Sequence, residues 1–136
     1  EASQISHSVT PINTEISGYL SVVGEQDFFT ITIEVETTLD IYMWTPEGGD
    51  WIDPVLRVRN SDGTQIIRRD DNNSKVLEAY DNGIINTPPV PTPPYNSYIE
   101  RLNLEVPGNY TIVCEAYPWA DPERMIGDYI LKIIKL

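Results

Sequence analysis

"DPVLRVRNSDGTQIIRRDDNN", residues 53–73, carries both the sign of the fold and a first candidate site. Leu56 and Val58 alternate with Arg57 and Arg59, the period of two that a strand with one buried face requires. A second short apolar run, "TQIIRR" (64–69), follows the turn "NSDG" (60–63). Asp-Gly at such a turn supplies the positive φ that a tight hairpin needs. The two open ends of this hairpin carry Asp53 on one side and Asp70, Asp71, Asn72 and Asn73 on the other. Two readings fit those ends. Calcium takes six to eight oxygens from carboxylates, carbonyls and water, and pairing of the two strands brings Asp53 towards Asp70 and Asp71, with Asp50 and Asp81 nearby in sequence. A cation there would relieve the repulsion between the carboxylates and stabilise the fold. Against it, Arg57, Arg59, Arg68 and Arg69 lie on the same hairpin as partners for the acids, and Asp and Asn favour turns by bonding their own backbone. The spacing does not match an EF-hand loop. Glu25-Gln26-Asp27 is a second calcium candidate, with a turn acid at a strand start as the plainer explanation.

The period of two recurs along the chain. "DFFTITIEV" (27–35) sets Phe29, Ile31, Ile33 and Val35 against Thr30, Thr32 and Glu34, and "TLDIYMW" (38–44) sets Leu39, Ile41 and Met43 against Asp40, Tyr42 and Trp44. "IERLNLEV" (99–106), "NYTIVCEAY" (109–117), "DYILKIIKL" (128–136) and a segment around Ile16 to Val22 complete about eight strands. Short strands divided by Gly, Pro, Asn and Asp turns indicate an all-β protein, an antiparallel β-sandwich or jelly roll, forming a single domain over 1–136. One stretch breaks the rhythm. A Pro-rich insertion at about 82–97, including "NTPPVPTPPYNS", is expected to be extended, polyproline-like and exposed, after one or two helical turns in "SKVLEAYDNG" (74–83) with Ser74 as N-cap.

Charge and composition exclude several classes. With 21 acids against 9 bases the net charge is -12, which disfavours nucleic acid and anionic membrane and favours cations and basic surfaces. The chain has one cysteine, Cys114, and one histidine, His7, too few for an internal disulfide or a His/Cys zinc set. Cys114 falls on the apolar face of its strand and reads as a buried, inert thiol. No apolar run is long enough to span a membrane. Paired acids also raise a glycosidase reading, but these acids lie in turns and none is marked out by an apolar pocket. No catalytic residue is assigned, and the chain is read as a non-enzyme. The aromatics Trp44, Trp51, Trp119, Tyr42, Tyr117, Tyr95 and Tyr98 fall at strand ends or in loops, where flat rings stack on sugars or protein chains. Trp44, Trp51, Trp119, Tyr42 and Tyr117 are the candidate ligand-binding set, with simple packing as the alternative for each taken singly.

Taken in order, Gly18, Leu20, Asp27, Phe29, Asp53, Leu56, Gly63, Asp70, Asp71, Gly108, Tyr110, Gly127, Tyr129 and Leu131 form a pattern over residues 16–136 that resembles the bacterial pre-peptidase C-terminal domain family. The resemblance implies a β-sandwich module that accompanies secreted proteases and other hydrolases, is not itself catalytic, and in several relatives binds calcium. It implies the parent's catalytic domain as partner, polysaccharide or protein substrate as a further one, and an extracellular or cell-surface location. On this reading Asp53, Asp70 and Asp71 are the calcium ligands of choice, with Asp50 and Asp27 as further candidates. In the related collagenase modules an acidic N-terminal linker supplies ligands, and "EASQISHSVTPINTE" (1–15) offers only Glu1, Asn13 and Glu15. The long Pro-rich insertion is a second departure from the family's pattern.

Overall fold

The computed structural model describes residues 4–7, 11–69, 73–90 and 96–136. Asp70, Asp71, Asn72 and Tyr95 therefore lie outside the described residues. The strands are β1 (Gln4–His7), β2 (Glu15–Leu20), β3 (Gln26–Ile33), β4 (Thr37–Trp44), β5 (Pro54–Arg59), β6 (Gln65–Arg69), β7 (Ser97–Leu104), β8 (Gly108–Ala116) and β9 (Gly127–Lys135), with one α-helix, α1 (Asn73–Asp81). They form a five-stranded sheet in the order β1-β3-β8-β5-β6 and a four-stranded sheet in the order β2-β9-β4-β7. Every ladder is antiparallel except β1 with β3, which runs parallel. The antiparallel sandwich is as the alternation predicts, with β1 as a ninth described strand.

Alternation decides which side chains meet between the sheets. Phe29, Ile31 and Ile33 from β3, Leu56 and Val58 from β5, and Ile112 and Cys114 from β8 face Leu39, Ile41 and Met43 from β4 and Tyr129, Leu131 and Ile133 from β9. The β5–β6 hairpin closes as its turn sequence requires: Gly63 takes φ 88°, its N–H donates to the Asn60 carbonyl (3.0 Å), and Asn60 N–H donates to the Thr64 carbonyl (3.0 Å). In β7 the alternation slips. Leu39 pairs with Leu102 but Ile41 with Ile99, so β7 holds one extra residue there. Arg101 absorbs it at φ 51°, its N–H donating to Asp40 Oδ1 (2.8 Å). The bulge turns Ile99 and Leu102, which strict alternation would send to opposite faces, towards the same core. Val35 and Val106, read as strand positions, lie beyond β3 and β7 and are exposed.

The largest departure concerns the outer face of the four-stranded sheet. α1 and residues 84–90 cover it. Val76 and Ala79, three apart on one helix face, pack with Ile85 against Tyr42, Trp44, Tyr98 and Ile130 in a second apolar cluster. The insertion is therefore not simply exposed polyproline where it is described. Ile85 and Pro89 are buried, Pro89 bridges to Pro46, and Val90 N–H donates to the Thr45 carbonyl (2.9 Å). The Glu15 carboxylate ties it to β2, accepting from Thr87 Oγ1 (2.5 Å) and from the Asn86 and Thr87 N–H groups (2.5 and 3.1 Å).

Candidate functional site

Register places two acids at one end of the sandwich. Asp27 pairs with Cys114 across β3 and β8, so its side chain continues the inward row of Phe29, Ile31 and Ile33. Glu25, two residues earlier, sits at the end of the β2–β3 loop. Each is only 3% exposed. Glu25 Oε1 accepts from the Ser21 N–H (2.9 Å) and the Ser21 hydroxyl (2.7 Å). The Tyr129 hydroxyl, at the start of β9, donates to Asp27 Oδ2 (2.5 Å). Asp27 Oδ1 is buried and meets no donor. Its carboxyl lies against that of Glu25, and two acceptors form a hydrogen bond only if one of them keeps a proton.

The electrostatics express that frustration. Burial raises the Asp27 pKa from 3.8 to about 7, reinforced by the Glu25 carboxyl and opposed by the Tyr129 bond. Burial also acts to raise Glu25, but the bonds it receives from Asp27 and Ser21 outweigh it and hold Glu25 below its ordinary value. The pair thus keeps one proton near neutral pH, on Asp27. Burial likewise raises Tyr129 and pushes the Cys114 thiol well up, which keeps that thiol neutral and inert beneath the acids.

Tyr129 reaches Asp27 because Gly18, its partner across β2 and β9, has no side chain. A Cβ at Gly18 would stand 2.2 Å from Tyr129 Cζ. The ring is fully buried and meets Phe29 edge-on, with centroids 6.4 Å apart and planes at 87°.

The acids first singled out do not join this pair. Asp53, next to β5, is separated from Asp27 by the whole of β8, about 10 Å at ordinary strand spacing. Its backbone instead bridges loops: its N–H donates to the Arg124 carbonyl (3.2 Å) and its carbonyl accepts from Tyr117 N–H (2.7 Å). Asp50 is exposed and faces Asp128, donating its N–H to Asp128 Oδ2 (3.3 Å). Among the described residues no three His, Cys, Asp or Glu side chains form a metal-binding group. Asp53, Asp50 and Asp27 are thus not brought together, and Asp70 and Asp71 lie outside the described residues. Of the arginines on the hairpin, Arg57 and Arg59 have partners other than the acids at its ends. Arg57 is bound to Glu115 and donates to Gln65 (2.8 Å), while Arg59 lies over the Phe28 ring at 5.5 Å.

The aromatic set divides. Trp44 is fully buried with Nε1 donating to the Thr87 carbonyl (3.1 Å), and Tyr42 is buried and stacked on Tyr98 at 4.4 Å. Neither can serve as a platform, because the insertion covers the face they occupy. Trp51 and Tyr117 are half-buried, Trp51 beneath the Arg124 guanidinium at 3.8 Å. Trp119 alone of the five stands clear, 83% exposed, on a turn in which Ala120 N–H donates to the Tyr117 carbonyl (3.1 Å).

Sequence reasoning missed Ser21 and Tyr129 as partners of the acids. A signal for the pair was present: Glu25 and Asp27 are two apart and in phase with Phe29, Ile31 and Ile33, so the pattern runs two carboxylates into an apolar face.

No family model matches the chain, and no curated protein matches it. Among solved structures it is similar to the pre-peptidase C-terminal domain of a collagenase from Bacillus anthracis, with a TM-score of 0.58 and 18% identity, covering 98% of this chain and 94% of that one. It is also similar to a periplasmic inhibitor of g-type lysozyme from Aeromonas hydrophila, with a TM-score of 0.51 and 9% identity, covering 98% and 97%. The sandwich is thus that of the domain family the sequence resembles.

Proposed function

We propose that this chain is a non-catalytic accessory module of a secreted, protease-type hydrolase, which binds calcium at one end of its sandwich and so stabilises or positions its parent. The likeness to a collagenase's pre-peptidase C-terminal domain supports the accessory role and a catalytic domain as partner. A setting outside the cytoplasm agrees with that likeness and with the periplasmic inhibitor. The observation that carries the calcium reading is the pair of buried acids itself: Asp27 Oδ1 meets no donor among the described residues, and the proton that the Asp27 and Glu25 carboxyls share marks where a cation would sit. A hard cation takes oxygens of this kind. Glu25 and Asp27 would hold it, each with one oxygen already engaged, and the Ser21 hydroxyl beside Glu25 is a further oxygen ligand within reach. When bound, calcium supplies the positive charge that lets both carboxylates ionise at neutral pH. The chain's own residues then need no shared proton.

Thermal melts in EDTA, calcium and magnesium test this. Calcium at 100 times its Kd should raise the midpoint by roughly 10 °C for a domain of this size, magnesium much less, and Asp27→Asn should abolish the response. Equal midpoints in EDTA and calcium would reject the reading.

A second reading, binding of polysaccharide or protein, is favoured by Trp119 alone, since a rigid exposed indole gives contact area at low entropic cost. Retention on insoluble polysaccharide or collagen that Trp119→Ala removes would support it. No retention on any of them would reject it.

A further inference from the structure

We infer that Asn82–Gly83 is a site of self-modification, where the asparagine amide is converted to aspartate and isoaspartate and the cover over Tyr42 and Trp44 is loosened as a result. It is the one Asn-Gly pair in the chain. Both residues are exposed, just past the end of α1. Gly83 stands in the left-handed region at φ 75°, and no side chain shields its nitrogen. That nitrogen is held by a terminal bond, from its N–H to the Tyr80 carbonyl (3.1 Å), of the kind that opens as a helix end frays. Asn13, Asn60, Asn96, Asn103 and Asn109 are better protected: a residue with a side chain follows each, and each has its own side chain in a hydrogen bond.

The chemistry needs only hydroxide and water. Hydroxide takes the Gly83 N–H proton, and the nitrogen attacks Asn82 Cγ. A C–N bond forms, the side-chain nitrogen leaves as ammonia, and a five-membered imide closes. Water then opens one of its two carbonyls. Opening at Cγ leaves aspartate. Opening at the backbone carbonyl leaves isoaspartate, whose chain runs through the side chain and is longer by one carbon. Either product disturbs its surroundings. The new carboxylate stands at the negative end of the helix dipole, one turn from Glu78, and shares a hollow with Asp40, Glu78 and Glu100. The longer backbone falls where the Ile84 and Ile85 N–H groups donate to the Ala79 carbonyl (2.9 and 3.3 Å) and close the helix. Ala79 and Ile85 both belong to the apolar cluster over Tyr42 and Trp44, so a change at position 82 is carried straight to the cover.

The test ages the whole chain in mildly alkaline buffer and follows every asparagine by peptide mapping in a mass spectrometer. Loss of ammonia should appear first at residue 82, quicken as the pH rises, and divide between aspartate and isoaspartate. In the aged protein the Ile84 and Ile85 amide protons and the Trp44 indole N–H should exchange with solvent about 2–10-fold faster than in fresh protein, the size expected of an unfavourable charge at a helix end. Asn82→Gln, whose ring closure would be six-membered and slow, should keep the mass and the exchange rates of fresh protein through the same treatment. Residue 82 still intact when other asparagines have reacted overturns the inference. So does complete conversion with exchange unchanged, and so does faster exchange that aged Asn82→Gln shows equally.

Discussion

Two parts of this sandwich bury polar groups, and they do so in opposite ways. On the outer face of the four-stranded sheet, under α1 and the insertion, the polar atoms of the cover are matched. The Trp44 indole N–H has the Thr87 carbonyl, Thr45 N–H has Asn96 Oδ1 (2.9 Å), and the Glu15 carboxylate takes Thr87 by both its hydroxyl and its N–H. At the loop end of the core, Glu25 and Asp27 are as well hidden, yet among the described residues Asp27 Oδ1 meets no donor, and the Asp27 carboxyl lies against another acid. A buried polar group with its bonds made specifies structure. One without them costs free energy, and it persists only where something else returns that cost. The difference separates the part of the molecule that is architecture from the part that reads as a site.

The sharpest way to break the comparison is to empty the matched side. Trp44→Ala should cost about 3–5 kcal/mol in urea unfolding, the range for losing a fully buried tryptophan, while calcium affinity is unchanged. If calcium binding fell as well, the two regions would be coupled and the division would fail.

The unmatched side should instead answer to pH. Asp27 has a folded pKa of about 7 against an ordinary 3.8, so its contribution is fully present below pH 3.8 and is lost as pH rises through 7. Three units correspond to about 4 kcal/mol, an upper figure because the depressed pKa of Glu25 works the other way over the acid range. In EDTA the protein should therefore be less stable at pH 8 than at pH 5. Asp27→Asn should flatten that decline, and calcium should reverse it. Equal urea midpoints for the wild type at pH 5 and pH 8 would show that the pair is not strained.

The smallest expected effect is at Trp119. Trp119→Ala should change stability by less than about 0.5 kcal/mol, because the side chain packs on nothing that folding buries. A larger loss would mean the indole braces its loop and is not free for a partner.

What was legible in the sequence follows from what alternation encodes. A period of two tells which residues of a strand share a face, so the rows of β3, β4 and β5 and the turn at Asn60–Gly63 were readable. Alternation does not tell which strand lies beside which. Asp53 and Asp27, read as parts of two separate candidates, could not be placed relative to each other until the strand order set β8 between their strands. Nor does it tell which face is covered. Tyr42 and Trp44 were placed correctly on the side opposite Leu39, Ile41 and Met43, but that side is closed by a helix some thirty residues further on. The parallel pairing of β1 and the extra residue in β7 had no local signal, because both depend on a neighbouring strand. The Glu25–Asp27 pair is the reverse case: its phase with Phe29, Ile31 and Ile33 is visible in the sequence, although the acids of residues 53–73 are denser.

The extra residue in β7 also bears on how the molecule behaves in a crowd. Among the described residues β7 closes one side of its sheet, and a straight bordering strand offers its free N–H and C=O groups to any passing chain as a template for fibrils. Arg101, at φ 51°, bends that border in its middle and sets a charged side chain there, so an incoming strand would lose register after a few residues. The irregularity that turns Ile99 and Leu102 to the same core thus also guards the sandwich against growing by one strand at a time.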